Sequence, residues 1–308
     1  MKLTLKKDEE KEGGRNWIVS ALLAPFVLWI LYTWWPEIMP FSGFAIWESH
    51  STTFGDWMGV AWPVFLWGLG INVLVTLTGW QMIKRNTSDK VFSQRVLRNK
   101  STLSGRLLAG FGISAFAGLA EEVAFRWLLF LSAIASVLIA NWFFGIFLGH
   151  LILGGLAGAI VGYLLALLLF LKEDNRAVLV GFFFVVGAII FLIMSLCGML
   201  PGLVEWMYMN VTGPIINFLS FGAMEEWIFH EKGWWVGAAL ISTNAFFRDG
   251  HKYQGWFGTL NSWCIGLFLF WVALNMGLWA AIVIHFLYDL IIFTYGAFLQ
   301  TLMEKKEA

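Results

Sequence analysis

Two glutamates and an arginine stand together in AEEVAFRW, residues 120–127, with scarcely another polar side chain for a dozen residues on either side. On a helix Glu122 and Arg126 are four residues apart and share a face, where they can pair. Glu121 lies about 100° round the helix. One carboxylate is then neutralised by the guanidinium while the other stays available as a base; a buried ion-pair network without chemistry would use the same spacing. His285 and Asp289, in IVIHFLYDLIIF, repeat the four-residue interval. That interval suits a shared metal, or a carboxylate that orients an imidazole and fixes its tautomer. A third group, FRDGHKYQGW, carries Arg248, Asp249, His251 and Lys252 between two apolar runs. Arg-Asp-Gly reads as a turn, which sets His251 at a helix end near a cavity mouth. A fourth, AMEEWIFHEKGWW, copies the glutamate pair as Glu225 and Glu226 but has His230 where the first has Arg126. It reads as an interfacial turn, because Glu231, Lys232 and Gly233 break the apolar run.

The elements that must position these side chains are membrane helices. Hydrophobic residues make up 59% of the chain and charged residues 13%, and the mean hydropathy is +0.74. Ordinary soluble domains are roughly a quarter charged. A charge at the centre of a spanning helix costs about 2.5–3.5 kcal/mol on insertion scales, so ionisable residues there face a bundle interior or a wet cavity and are functional candidates by default. Net charge is zero, and nothing points to nucleic acid. Cys197 and Cys264 lie in apolar segments and fit no ligand or disulfide spacing.

Along the chain, residues 1–16 form a polar tail and 17–106 hold two apolar spans and a basic connector. The first span, Trp17 to Trp35, is long enough to cross and has no cleavage site, so it is read as a retained helix. The second runs from about Trp57 to Ile83. Lys84, Arg85, Lys90, Arg95, Arg98, Lys100 and Arg106 make the connector basic, while the loop from Pro36 to Asp56 has no Lys or Arg. The positive-inside rule puts the tail and the connector in the cytoplasm. Further apolar segments run from Leu107 to Ala140, Trp142 to Leu171, Val178 to Leu200, Leu203 to Phe221, Trp234 to Phe247, Trp256 to Leu274 and Leu278 to Leu299. The expected fold is all-α, a polytopic transmembrane bundle of about eight helices around a buried polar cavity, with residues 301–308 a polar tail. Period-two alternation is absent.

Taken in order, EEVAFR, FRDGH (through Phe247) and HFLYD fit the motifs EExxxR, FxxxH and HxxxN/D. The ordered triple resembles the CPBP family, also called Abi, of intramembrane endopeptidases, which includes the type II CAAX prenyl proteases. The resemblance covers about Leu107 to Thr294, within a core taken as 107–300. It implies peptide hydrolysis in the membrane, with Glu121, Glu122, Arg126, His251, His285 and Asp289 as site residues. A glutamate would activate water, and the two imidazoles would stabilise the oxyanion or hold a metal that does so. His251, His285 and Glu121 make a legitimate set for Zn(2+) or another divalent metal; the metal-dependent and metal-free versions both stand. Family members have shorter separations between the first two motifs, and on that count Glu225 and Glu226 are an alternative first motif. The first cluster is favoured because it keeps the arginine and sits mid-span. The partners implied are the bilayer and a peptide or protein substrate entering from it. The implied location is a bacterial or archaeal cytoplasmic membrane with the amino terminus inside. Two other classes fit the same residues: a proteolytically inactive binding or immunity protein, and a proton-coupled transporter with a carboxylate and histidine relay.

Overall fold

A computed structural model describes residues 52–78, 102–229, 233–252 and 255–307, the turn 45–47, and positions 26, 29, 30 and 33. The amino-terminal tail, most of the first apolar run, the connector up to Lys100, and His230, Glu231 and Lys232 lie outside the described residues. Among the described residues all regular structure is helical. The helices are α1 (Phe54–Thr78), α2 (Leu103–Glu122), α3 (Phe130–Ala140), α4 (Gly149–Leu168), α5 (Glu173–Leu196) and α6 (Leu203–Met207). There follow α7 (Gly213–Leu219), α8 (Glu225–Ile228), α9 (Trp234–Gly250), α10 (Gly255–Met276) and α11 (Leu278–Glu307). Wider π-helical turns join α2 to α3 (Val123–Leu129), α3 to α4 (Asn141–Leu148) and α6 to α7 (Tyr208–Thr212). Five helical stretches are long and apolar enough to cross a membrane: Phe54–Leu74, Leu103–Leu168, Glu173–Leu196, Gly255–Met276 and Leu278–Leu302. The chain is an integral membrane protein.

One sequence expectation is corrected here. The apolar segments on either side of Asn141 are one unbroken helical stretch of 66 residues, about three times the roughly 20 residues of a single crossing. Asn141 does not break the helix because its amide is satisfied elsewhere. It is nearly buried, and its Oδ1 accepts the backbone N–H of Glu205, 3.2 Å away, in the first turn of α6. The polar tail expected at 301–308 is helical as far as Glu307.

The chain divides into two compact units, residues 1–132 with 240–308, and residues 133–239. In the first, α2 and α11 pack antiparallel. Arg106, Gly110, Ser114, Gly118 and Glu122 recur every fourth residue and make the buried face of α2. The small members let the backbones approach, as small-xxx-small faces do in membranes. A β-carbon at Gly118 would stand 2.9 Å from the backbone nitrogen of Phe286. Arg106, the last cation of the basic connector, is buried. Its Nη2 lies 2.5 Å from Glu304 Oε1, and its Nη1 donates to Thr301 Oγ1 at 2.8 Å. At the far end of α2, Glu122 meets His285. Gly277, at φ +92°, is the single residue between α10 and α11, in a region that favours glycine. Its N–H closes α10 on the carbonyl of Ala273. Against α11 lies α1, with Gly68 under the Tyr288 ring. Trp67 Nε1 donates to Asn261 Oδ1 of α10 at 2.9 Å. Leu269, Val272, Ala281 and Ile284 fill the space between.

The second unit rests on another glycine stripe. Gly154, Gly158 and Gly162 of α4 face Gly187, Phe183 and Leu179 of α5 in antiparallel order. A β-carbon on Gly158 would overlap the carbonyl oxygen of Phe183. Tyr208, buried, donates its hydroxyl to the carbonyl of Ile228 at 2.9 Å.

Candidate active site

Glu121, Glu122, Arg126, His251, His285 and Asp289 all belong to the first unit. The glutamates are the last two residues of α2, and Arg126 lies in the π-helical turn that follows. Such turns recur at functional sites because they redirect side chains without ending the helix. His251 is the first residue after α9, where Gly250 ends it, and His285 and Asp289 project from one face of α11.

Glu122 and Arg126 are both fully buried, with Arg126 Nη1 3.1 Å from Glu122 Oε1. The same carboxylate oxygen lies 2.6 Å from His285 Nδ1. An ionised carboxylate only accepts, so Nδ1 of His285 carries the proton and Nε2 is the nitrogen turned to the site. His251 is set in the same sense by a different partner, since its Nδ1 lies 2.8 Å from the carbonyl oxygen of Phe247, which also only accepts. The two Nε2 atoms converge on Glu121: each is 3.9 Å from Glu121 Oε2. That oxygen is buried and has no hydrogen-bond partner, although Glu121 as a whole is a third exposed. Glu122 is therefore tied through Oε1, its own Oε2 being buried without a hydrogen bond, while Glu121 meets the imidazoles only at 3.9 Å.

No protein-family model, no curated protein and no solved structure matches the chain. The site is read from its own geometry.

Asp289 does not orient His285, contrary to one of its expected roles. Its Oδ2 is 3.7 Å from His285 Nε2, beyond hydrogen-bond length. The i, i+4 spacing brings it to the Nε2 side of the ring, while the orienting Nδ1 contact comes from Glu122 on another helix. Arg126 is held by more than Glu122. Its Nη2 donates to the carbonyl of Gly266 at 3.3 Å, and its guanidinium lies 4.2 Å from the Phe247 ring centre and 5.3 Å from that of Phe270. Sequence reading singled out neither Gly266 nor Phe270, since a backbone carbonyl and an apolar ring carry no signature in a chain this aromatic.

The metal expectation meets a spacing problem. Ligands bound tetrahedrally to zinc at about 2.0–2.2 Å are roughly 3.3 Å apart, against 3.9 Å here for each Glu121–imidazole pair. Among the described residues no three His, Cys, Asp or Glu side chains stand at metal-binding spacing. At 3.9 Å the polar atoms stand beyond direct hydrogen-bond length.

Glu225 and Glu226 are exposed on the single turn of α8, in the second unit. His150, also in the second unit, is buried with Nδ1 3.2 Å from the carbonyl of Ile146 in the preceding turn. Arg248, Asp249 and Lys252 pair among themselves at the end of α9, at 2.7 Å for each ion pair with Asp249. Hydrogen bonds from Lys252 and then Arg248 hold the Asp249 carboxyl below its ordinary value.

Proposed function

We propose that this chain is an intramembrane endopeptidase, similar in kind to the CPBP and CAAX-type proteases, that hydrolyses a peptide bond with water activated by Glu121. The observation that carries the reading is the unbonded, buried Glu121 Oε2 at equal distance from two inward-facing Nε2 atoms. A water bridging these groups passes a proton to Glu121 as its oxygen attacks the substrate carbonyl carbon. His285, neutral with its Nδ1–H held by Glu122, accepts the second hydrogen of the water at Nε2 and so aims the attacking oxygen. Collapse of the tetrahedral intermediate breaks the C–N bond. Glu121 returns its proton to the leaving amine, and the products are a carboxylic acid and an amine. His251, fixed by the Phe247 carbonyl, positions the water. Arg126 keeps Glu122 ionised, so that Glu122 acts through His285 and not on substrate.

The reading carries with it a bilayer-embedded peptide or protein substrate, a bacterial or archaeal cytoplasmic membrane, and an amino terminus on the cytoplasmic side. It is tested by incubating the purified protein in liposomes with a library of fluorogenic transmembrane peptides, wild type beside Glu121→Gln. Cleavage that Glu121→Gln abolishes supports it. Intact peptides with wild-type protein, together with proton flux across the liposome membrane, would give the transporter reading instead; peptide capture without cleavage would give the binding protein.

A further inference from the structure

One side chain touches the arginine and both histidines. Phe247, from the last turn of α9, is almost fully buried. Its ring carries Arg126 over one face at 4.2 Å. It lies 4.6 Å from the His251 ring, and meets the His285 ring edge-on with centroids 6.3 Å apart. Phe125, beside Arg126 in sequence, packs on it edge-to-face at 5.3 Å.

The arginine needs that ring. A guanidinium has five N–H donors, and Arg126 is wholly buried. Its Nη2 reaches the Gly266 carbonyl, but Nε and Nη1 make no hydrogen bond. Their remaining compensation is the ion pair with Glu122 and the electron-rich faces of Phe247 and Phe270. Gly266 makes the approach possible, because a β-carbon there would stand 2.9 Å from Phe247 Cδ1.

We propose that Phe247 is a positioning residue: its ring holds Arg126 over Glu122 and sets both imidazoles with their Nε2 atoms toward Glu121. A leucine would fill much of the same space but offers a guanidinium no π face and an imidazole no flat wall. With Arg126 free to drift, Glu122 loses its partner, and the His285 Nδ1 contact that selects the tautomer loosens with it. The consequence for catalysis rests on the hydrolytic reading above; the consequence for the histidines does not.

Histidine 15N spectra of the full chain in nanodiscs report which ring nitrogen carries the proton, and they decide the matter. Phe247→Leu is compared with wild type, with 3,4,5-trifluorophenylalanine at position 247, and with Leu278→Ala. The fluorinated ring keeps its shape but loses its negative face, and Leu278 is a buried core residue that is not one of the six site residues. Phe247→Leu is expected to give mixed tautomers at His285, and the fluorinated ring a smaller change in the same direction, while His251, whose Nδ1 stays on the backbone carbonyl of residue 247, keeps its own. Leu278→Ala should match wild type. In the hydrolysis assay kcat should fall about tenfold for Phe247→Leu with KM little changed, the scale of a desolvated cation–π contact. Wild-type histidine spectra in both Phe247 variants would overturn the proposal and leave Phe247 a packing residue. Should Phe247→Leu fail to fold, the fluorinated variant decides alone. Absence of hydrolysis in wild type would sink the functional reading while the spectra still judged the positioning.

Discussion

Glu121 and Glu122 are neighbours in sequence with opposite surroundings. Glu122 is sealed off and held by Arg126 and His285, whereas Glu121 keeps an unbonded oxygen between two imidazoles. Their amides should therefore behave differently. Glu121→Gln removes the base and should lower kcat by about 10²–10⁴, the range of a general base. Glu122→Gln should leave residual activity and disturb the His285 tautomer, because a neutral amide pairs poorly with Arg126. Glu225→Gln should be silent in the same peptide-cleavage assay; loss of activity there with Glu121→Gln active would reassign the base. Asp289→Asn should cost less than about tenfold in kcat/KM, since no direct hydrogen bond to His285 is lost. The 3.9 Å spacings also carry an expectation for metals. Protein stripped with a chelator, and shown metal-free by elemental analysis, should retain its activity. Loss on stripping and recovery with zinc would show that the site closes around an ion.

At the scale of elements, two four-residue stripes bring helices together where lipid supplies no hydrophobic drive between them. Gly158 faces the Phe183 carbonyl too closely for any side chain. Gly158→Leu should thus destabilise the α4–α5 pair by at least about 1–3 kcal/mol, the usual range of overpacking, seen as a lower unfolding temperature in detergent. The α2–α11 pair has a polar clasp as well. The hydrogen bond from Arg106, with its charge, holds the half-exposed Glu304 carboxyl below its ordinary value of 4.5. A carboxyl lowered in the folded state stabilises the fold above its ordinary value and loses that contribution as pH falls through the lowered one. Thermal unfolding of wild type should therefore fall more steeply than that of Glu304→Gln as pH drops below 4.5. Parallel curves would mean the clasp contributes nothing.

For the whole molecule the open variable is which side each end faces. The seven cations from Lys84 to Arg106 and the uncharged or acidic loop before Asp56 predict a cytoplasmic connector. Arg106 is taken up by Glu304, and six cations remain to set that bias. After Cys197 and Cys264 are replaced by alanine, a cysteine at position 88 should be labelled only once the inner leaflet is opened. One at position 51 should react with an impermeant reagent from outside. The opposite pattern would invert the topology.

Composition and run length were enough to determine a helical membrane protein, because a span must bury its backbone polarity in its own helix and expose apolar side chains to lipid. The same reading marked four clusters of charged or imidazole side chains, since charge inside an apolar run is costly, and motif order singled out the six of the candidate site from among them. Four-residue spacing also announced the Glu122–Arg126 pair, and the stripe from Arg106 to Glu122 was there to be read by the same rule. Partners more than a hundred residues apart were not legible. That Glu122 and not Asp289 orients His285, that Arg126 leans on Gly266 and Phe247, and that Arg106 ends on Glu304 depend on how α2, α9, α10 and α11 meet. Periodicity fixes which residues share a face of one helix; only packing decides what stands opposite that face, and there Glu121 was separated from its identical neighbour.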